Sequence, residues 1–274
     1  MEDWMKYIPD TTKIKAFKAI PQSHNTGSVS PLFCYTWPVW PFAQCQNLSI
    51  SAQLEMGIRA FDLRLTWFEG VCYISHSFLS SYTLSSVLQD IYTFLEQYPS
   101  ECVFVFMKED WKTCVWAQKD YKDVWNLFDN TFILQNNNNK VLETAISSLR
   151  RRIIPVISGE FIKCKPNNVG YMNINRLDII ECWNTTSVEC AKQKIEANIT
   201  KYKFNTYKSI GLTVVVKIGS IPLPPCMISY KLNDWFFSKL KSEWKGRSVG
   251  FVGFDFPSPD NVQTLINMNN ITTK

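Results

Sequence analysis

The sequence predicts an α/β protein, an irregular (β/α)8 TIM barrel with some helices missing. Three observations predict it. Apolar runs of strand length recur eight times along the 274 residues. Helical patterns of period 3.6 fall between several of them. The polar residues that break the runs do so at one end, the end where a parallel barrel gathers its functional side chains.

The eight runs are Ala16–Ile20, Ala60–Leu65, Val71–Ser75, Cys102–Met107, Ile153–Ile157, Asp178–Cys182, Leu212–Val216 and Val249–Phe254. They are short and apolar on both faces, as strands covered on both sides must be. Leu84, Val87, Leu88, Ile91, Tyr92 and Leu95 then form a helical stripe with Thr83 as its cap. Thr186 and Glu189 make a capping box before Ala191 and Ile195. Leu232, Trp235, Phe236, Leu240 and Trp244 give another stripe that reads as a core-facing helix. Two details make the barrel irregular. About five residues separate the second run from the third, too few for a helical crossover. Pro155 removes a ladder donor from the fifth run. No repeat or linker divides the chain, so residues 1–274 read as one domain.

Composition narrows the class. Apolar residues make up 46% and charged residues 19%, which suits a packed globular core. A net charge of +5 spread along the chain lacks the basic stripe of a nucleic-acid-binding surface; Arg150–Arg152 reads as a solvated strand entrance. No stretch approaches the ~20 apolar residues of a membrane span, and MEDWMKYIPD is not a signal peptide. Nine cysteines without C-x-x-C spacing read as reduced thiols of a cytoplasmic protein, expected to be a monomer.

His24 follows the first run, Asp62 and Arg64 sit late in the second, His76 closes the third and Lys108 the fourth. Glu181 lies near the end of the sixth and Asp255 ends the eighth. Each alone has an ordinary structural explanation: a strand-end histidine, an ion pair at i and i+2, a solvated lysine. Together they include both histidines of the chain and converge on one face. Two imidazoles flanking cations suit phosphodiester chemistry. One takes a proton from an attacking hydroxyl and the other gives one to the leaving oxygen, while Arg64 and Lys108 meet charge growing on phosphate oxygens. Asp255 or Asp62 would fix a histidine tautomer. Too few carboxylates remain for a metal, so neither metal nor other cofactor is expected.

These residues occur in a pattern that resembles the phosphatidylinositol-specific phospholipase C X-domain family in its compact bacterial form. WMKYIPD, then KAIPQSHNTGS, QLEMGIRAFDLRL, YISHS, YPSECVFVFMKE and VGFVGFDF follow the family's order and spacing nearly end to end. The resemblance implies an irregular barrel and cleavage of phosphatidylinositol to diacylglycerol and inositol 1,2-cyclic phosphate. It implies His24 as general base with Asp255 orienting it, His76 as general acid, and Arg64 on the phosphate. It also implies Lys108 and Glu181 as headgroup contacts and Trp183 beneath the inositol ring. Calcium-dependent relatives place their ligands at the positions of Asn25, Asp62, Arg64 and Lys108; two of these are cations here, so activity in chelator is expected. Three positions depart from the bacterial pattern: Asn25 replaces Asp, Ser77 replaces Gly, and IIPVISGEF lacks a strand-end arginine.

A lipid substrate requires membrane contact at the barrel mouth, peripheral in kind. Trp37, Trp40 and Phe42 in FCYTWPVWPF, with Ile221 and Leu223 in SIPLPPC, suit insertion at the interface. Two rivals remain open: a metal-dependent glycerophosphodiester or sphingomyelin-type phosphodiesterase, and a weakly catalytic inositol-lipid binding module.

Overall fold

The computed structural model describes residues 2–110, 116–137, 139–182, 187–199, 201, 207–218 and 221–270, without the side chains of residues 218 and 221. The chain forms β1 (Ala19–Ser23), α1 (Ile50–Met56), β2 (Ala60–Phe68), β3 (Val71–Ser75), β4 (Leu79–Thr83), α2 (Leu84–Gln97) and β5 (Cys102–Glu109). There follow α3 (Gln118–Asn126), β6 (Arg152–Ile157), α4 (Gly159–Cys164), β7 (Met172–Asn173) and β8 (Leu177–Glu181). The last part holds α5 (Val188–Ile199), β9 (Tyr207–Leu212), β10 (Lys217–Ile218), β11 (Ile221–Pro222), α6 (Ser229–Lys241), β12 (Gly250–Phe254) and α7 (Pro259–Asn267).

Eight strands curl into a nearly closed barrel in the order β7-β6-β5-β2-β1-β12-β9-β8. Their ladders are parallel. A 3-10 turn, Ile174–Arg176, connects β7 to β8 where a regular barrel would carry a helix. Pro155 is accommodated for a reason the topology makes plain. Ile153 donates to Phe132 on the side of β6 away from β5, and β7 joins that side only at Val156. The missing proline donor therefore falls in the gap between these two pairings.

Three sequence assignments are corrected. The third run is a strand, but it pairs antiparallel with β2, from Leu65↔Ile74 to Phe68↔Val71, and is not a barrel stave. Five residues are enough because the connection is a hairpin that continues into β4. The first strand begins at Ala19, since residues Ile14–Ala16 form a 3-10 turn. The seventh predicted run, Leu212–Val216, overlaps its strand by one residue; β9 ends at Leu212. The cap at Thr83 is present, reciprocated by Ser86. Thr186 lies outside the described residues, and Ser187 Oγ accepts from the Cys190 amide at 3.1 Å.

Aromatic rings fill the barrel. Phe251 meets Phe104, Phe106 and Tyr207 edge to face, with centroids 5.1, 5.1 and 5.4 Å away. The floor is closed by a fully buried ion pair: Arg59 Nε donates to Glu101 Oε2 at 2.8 Å. The other carboxylate oxygen accepts the Met5 amide, tying the N-terminal turn beneath the barrel. Removing either charge would strand its partner in an apolar site. Arg59 and Glu101 precede β2 and β5, so this end carries stability and leaves the opposite end for chemistry. At the entry to β12, Gly250 has φ 69°, and a Cβ there would lie 2.0 Å from the Lys208 carbonyl oxygen.

Candidate active site

The C-terminal ends of the strands open into a cavity of about 930 Å³. His24, Asn25, Asp62, Arg64, His76, Lys108, Glu181 and Asp255 all line it. His24 and Asp255 emerge directly from β1 and β12, which are neighbours in the sheet. Asp62 and Arg64 share one face of β2, two residues apart. Arg64 lies opposite Lys108 of β5. His76 arrives differently. Antiparallel pairing of Leu65 with Ile74 returns the chain to the level of Arg64 just as β3 ends.

The two imidazole rings stand 6.3 Å apart at 77°. His24 Nδ1 and Asp255 Oδ1 are 2.8 Å apart, and the ring backbone is clamped by Gln46 Nε2 donating to the His24 carbonyl at 2.7 Å. Burial opposes protonation of His24; the charge and hydrogen bond of Asp255 outweigh it and push the pKa up to about 9. His76 Nδ1 donates to the Ala43 carbonyl at 2.7 Å. Both rings thus engage the protein through Nδ1 and keep Nε2 as the position for exchange with a substrate.

Asp62 anchors the cations. Its Oδ1 lies 3.5 Å from Arg64 Nε and 4.0 Å from Lys108 Nζ, and Lys108 reaches Glu181 at 3.5 Å. Burial pushes the Asp62 carboxyl up, but the charges of Arg64, Lys108 and His24 overcome this and hold it well below the usual carboxylate range. The same pairing raises the pKa of Arg64, a guanidinium charged at any working pH. Arg64 Nε and Asp62 Oδ1 are both buried without a hydrogen-bond partner. The site therefore holds a buried carboxylate with two cations drawn onto it.

His24, His76 and Asp255, each the first residue past its strand, are each followed by a left-handed residue: Asn25 (φ 44°), Ser77 (φ 64°) and Phe256 (φ 50°). Asparagine tolerates that region, whereas serine and phenylalanine each carry roughly 1–2 kcal/mol of cost. The Gly of the bacterial pattern at position 77 is explained by this φ. Here the strained Ser77 amide donates to Asp110 Oδ2 at 2.8 Å.

Sequence reading passed over three contributors. Asp110, two residues beyond Lys108, carries no pattern of its own in the sequence. The Ala43 carbonyl has no side-chain signature at all. Cys45, read among the reduced thiols, lies 3.7 Å from His76 Nδ1 and 3.5 Å from Asn25 Nδ2. Burial, reinforced by the charge of Asp255, pushes its pKa up and keeps it a thiol. Asn25 contacts His24 Nδ1 at 3.4 Å and Cys45; no contact of its side chain with His76 is among those found in the described residues. Trp183 lies outside the described residues.

The expected interfacial residues divide. Trp37 is 57% exposed and Phe42 40%, with Tyr35 at 72% beside them. Trp40 is fully buried and its Nε1 donates to the Val29 carbonyl, so it pins the loop and cannot enter a membrane. Leu223 lines the cavity half-buried; the Ile221 side chain lies outside the described residues. No helix among the described residues is long and apolar enough to cross a membrane.

No protein-family model matches the chain. In sequence it is 25% identical to a 1-phosphatidylinositol phosphodiesterase of Listeria monocytogenes, covering 98% of this chain and 85% of that one. It is 22% identical to the enzyme of that name from Staphylococcus aureus strain Newman, covering 97% and 93%. In fold it matches the phosphatidylinositol-specific phospholipase C from Listeria monocytogenes with a TM-score of 0.79 at 22% identity, over 97% and 98% of the two chains. A Staphylococcus aureus phosphatidylinositol-specific phospholipase C, from work on modulation of its membrane binding, matches with a TM-score of 0.73 at 19% identity over 98% and 97%. The chain is thus similar over nearly its whole length, in sequence to bacterial 1-phosphatidylinositol phosphodiesterases and in fold to bacterial phosphatidylinositol-specific phospholipases C.

Proposed function

We propose that this chain is a metal-independent phosphatidylinositol phosphodiesterase, working as a single catalytic barrel and a monomer at membrane surfaces. The observation that carries the reading is the pair of imidazoles 6.3 Å apart beside the Arg64–Asp62–Lys108 group. That arrangement can accept one proton and donate another across a phosphorus atom.

His24 Nε2 takes the proton of the inositol 2-hydroxyl as its oxygen bonds to phosphorus. Asp255 holds the Nδ1 proton in place, so the acceptor nitrogen faces the substrate. The bond from phosphorus to the glycerol oxygen breaks, and His76 Nε2 supplies the proton that this oxygen needs to leave as diacylglycerol. The other product is inositol 1,2-cyclic phosphate. Arg64 meets the non-bridging oxygens, its guanidinium held beside Asp62 with Nε 3.5 Å from Oδ1. Lys108 and Glu181, 3.5 Å apart, supply a donor and an acceptor for ring hydroxyls.

Exposed Tyr35, Trp37 and Phe42 in the loop after β1, with Leu223 lining the cavity, support contact with the bilayer that holds the substrate. No disulfide joins any two of the eight described cysteines, which supports a reducing, cytoplasmic setting.

The test is release of water-soluble inositol phosphate from vesicles of labelled phosphatidylinositol, with and without EDTA. The expected outcome is turnover that survives chelator and is lost in His24→Ala. Turnover abolished by EDTA favours a metal-dependent phosphodiesterase; lipid binding without turnover favours a binding module.

A further inference from the structure

We propose that His24, Cys45 and Asp255 form a zinc-binding site whose occupation switches the enzyme off. The binding stands on geometry alone; the inhibition rests on the function proposed above. The ligand atoms of these three residues all lie within 4.8 Å of one another, and they are the group among the described residues that meets this spacing. They come from three separate segments: the end of β1, the loop before α1 and the end of β12. Cys45 is 1% exposed and Asp255 5%.

Imidazole, thiolate and carboxylate together make a borderline-soft donor set suited to Zn2+. Zinc holds nitrogen and oxygen at ~2.0–2.2 Å and sulfur at ~2.3 Å. Seating an ion requires Nδ1 and Oδ1, now 2.8 Å apart, to separate by about half an ångström, within the reach of small side-chain rotations. A fourth ligand is at hand. The Asn25 amide is 2% exposed, with Nδ2 3.4 Å from His24 Nδ1 and 3.5 Å from Cys45 Sγ. Its Oδ1 is buried without a partner. Half a turn of that amide presents the orphaned oxygen to the same point. The site does not suit calcium, because its donors are soft and the one hard anion nearby, Asp62, is held by Arg64 and Lys108.

The inhibition follows from proton bookkeeping. Zinc on Nδ1 displaces the proton shared with Asp255, to Nε2 when the ring is neutral and to solvent when it is protonated, and zinc on Sγ displaces the thiol proton to solvent. A neutral imidazole bound through Nδ1 carries its remaining hydrogen on Nε2. That nitrogen then has no lone pair to accept the inositol hydroxyl proton.

The experiment titrates Co2+ into chelator-treated, metal-free protein and follows its absorption. One equivalent is expected to give tetrahedral d–d bands and a near-ultraviolet thiolate-to-cobalt band, both displaced by Zn2+. Cys45→Ala should lose the thiolate band, and Cys45→Ser, which preserves volume, covers the case in which the alanine variant does not fold. In the soluble-product assay, buffered Zn2+ should inhibit and EDTA should restore the rate. With each protein normalised to its own rate in EDTA, the Cys45 variants should need at least ~100-fold more zinc, since even outer-shell partners are worth 10–100-fold in metal affinity. Absence of the thiolate band, its persistence in both Cys45 variants, or equal zinc sensitivity overturns the proposal. A protein that binds cobalt in this way yet turns over no lipid keeps the site and loses the function proposed above.

Discussion

Replacing Asp255 by Asn tests the central pair most directly, because it removes charge while keeping shape. His24 Nδ1 and Asp255 Oδ1 are 2.8 Å apart, and the carboxylate pushes the His24 pKa from an ordinary 6.5 up to about 9 against a burial effect of opposite sign. A shift of that size corresponds to roughly 3 kcal/mol in favour of the imidazolium, at ~1.4 kcal/mol per unit. The base form must be neutral, so in the native protein kcat/KM should climb as pH rises through about 9. In Asp255→Asn burial opposes protonation with only the smaller contribution of Cys45 against it, and the acid limb should move down from about 9. The plateau rate should fall by about 10²–10⁴, because the tautomer is no longer fixed. Stability provides a second readout. A group with a raised folded-state pKa contributes fully below its unfolded value and loses that contribution as pH passes its folded value. The native protein's advantage over Asp255→Asn in thermal unfolding should therefore shrink between 6.5 and about 9. Both measurements use EDTA throughout and a water-soluble inositol phosphate ester. An acid limb at the same pH in the two proteins would refute the pairing as the source of the base's properties.

Three further outcomes are expected. His76→Ala should lower turnover of the natural lipid by about 10²–10⁴, yet lose far less on an ester whose phenolate leaves without protonation; equal losses on both would remove His76 from the acid role. Trp37→Ala should weaken vesicle binding with an unchanged unfolding midpoint, whereas Trp40→Ala, emptying a fully buried site, should cost about 3–5 kcal/mol of stability. Denaturant titration and vesicle sedimentation separate the two, and a stable Trp40→Ala protein that no longer binds vesicles would reverse the assignment. Ser77→Gly relieves a left-handed residue at φ 64° and should stabilise by about 0.5–1 kcal/mol, the strain relief exceeding the added chain entropy; no gain in unfolding midpoint would locate the strain elsewhere.

What could be read from the chain followed which residues carry an unmixed signal. Buried, two-sided apolar strands such as Cys102–Met107 and Val249–Phe254 were legible because nothing in them competes with the pattern. The first strand was misplaced since its second half holds Gln22 and Ser23, polar yet buried inside the barrel. The ninth strand failed for the opposite reason. Val214 and Val215, apolar enough to read as strand, lie beyond β9 on the cavity wall, with Val215 39% exposed. An apolar run at the mouth of a lipid-handling barrel reports contact with substrate or membrane as well as burial, and periodicity alone does not distinguish them. Trp40 shows the same ambiguity reversed: a tryptophan in a proline-rich loop read as interfacial proved to be the loop's internal anchor. Strand β7, two residues long, is below any length that a sequence pattern can register.

The strand-end residues carried the site, and the turns that aim them did not show in the sequence. A parallel strand delivers a terminal side chain to the barrel rim, but only a sharp reversal of the backbone keeps it pointing inward while the chain departs. The left-handed residues after His24, His76 and Asp255 make that reversal three times. Had all three been glycine, the pattern would have been visible as punctuation; with Ser77 and Phe256 in two of the places it was not. The cost of holding those residues there is borne by packing elsewhere. It is reinforced by contacts such as Ser77 to Asp110 and the Phe256 amide to the Cys45 carbonyl at 3.0 Å. Strain that survives next to each proton-handling group, and is tied to the same loop that supplies Cys45, is what a site needs when its geometry must be fixed before the substrate arrives.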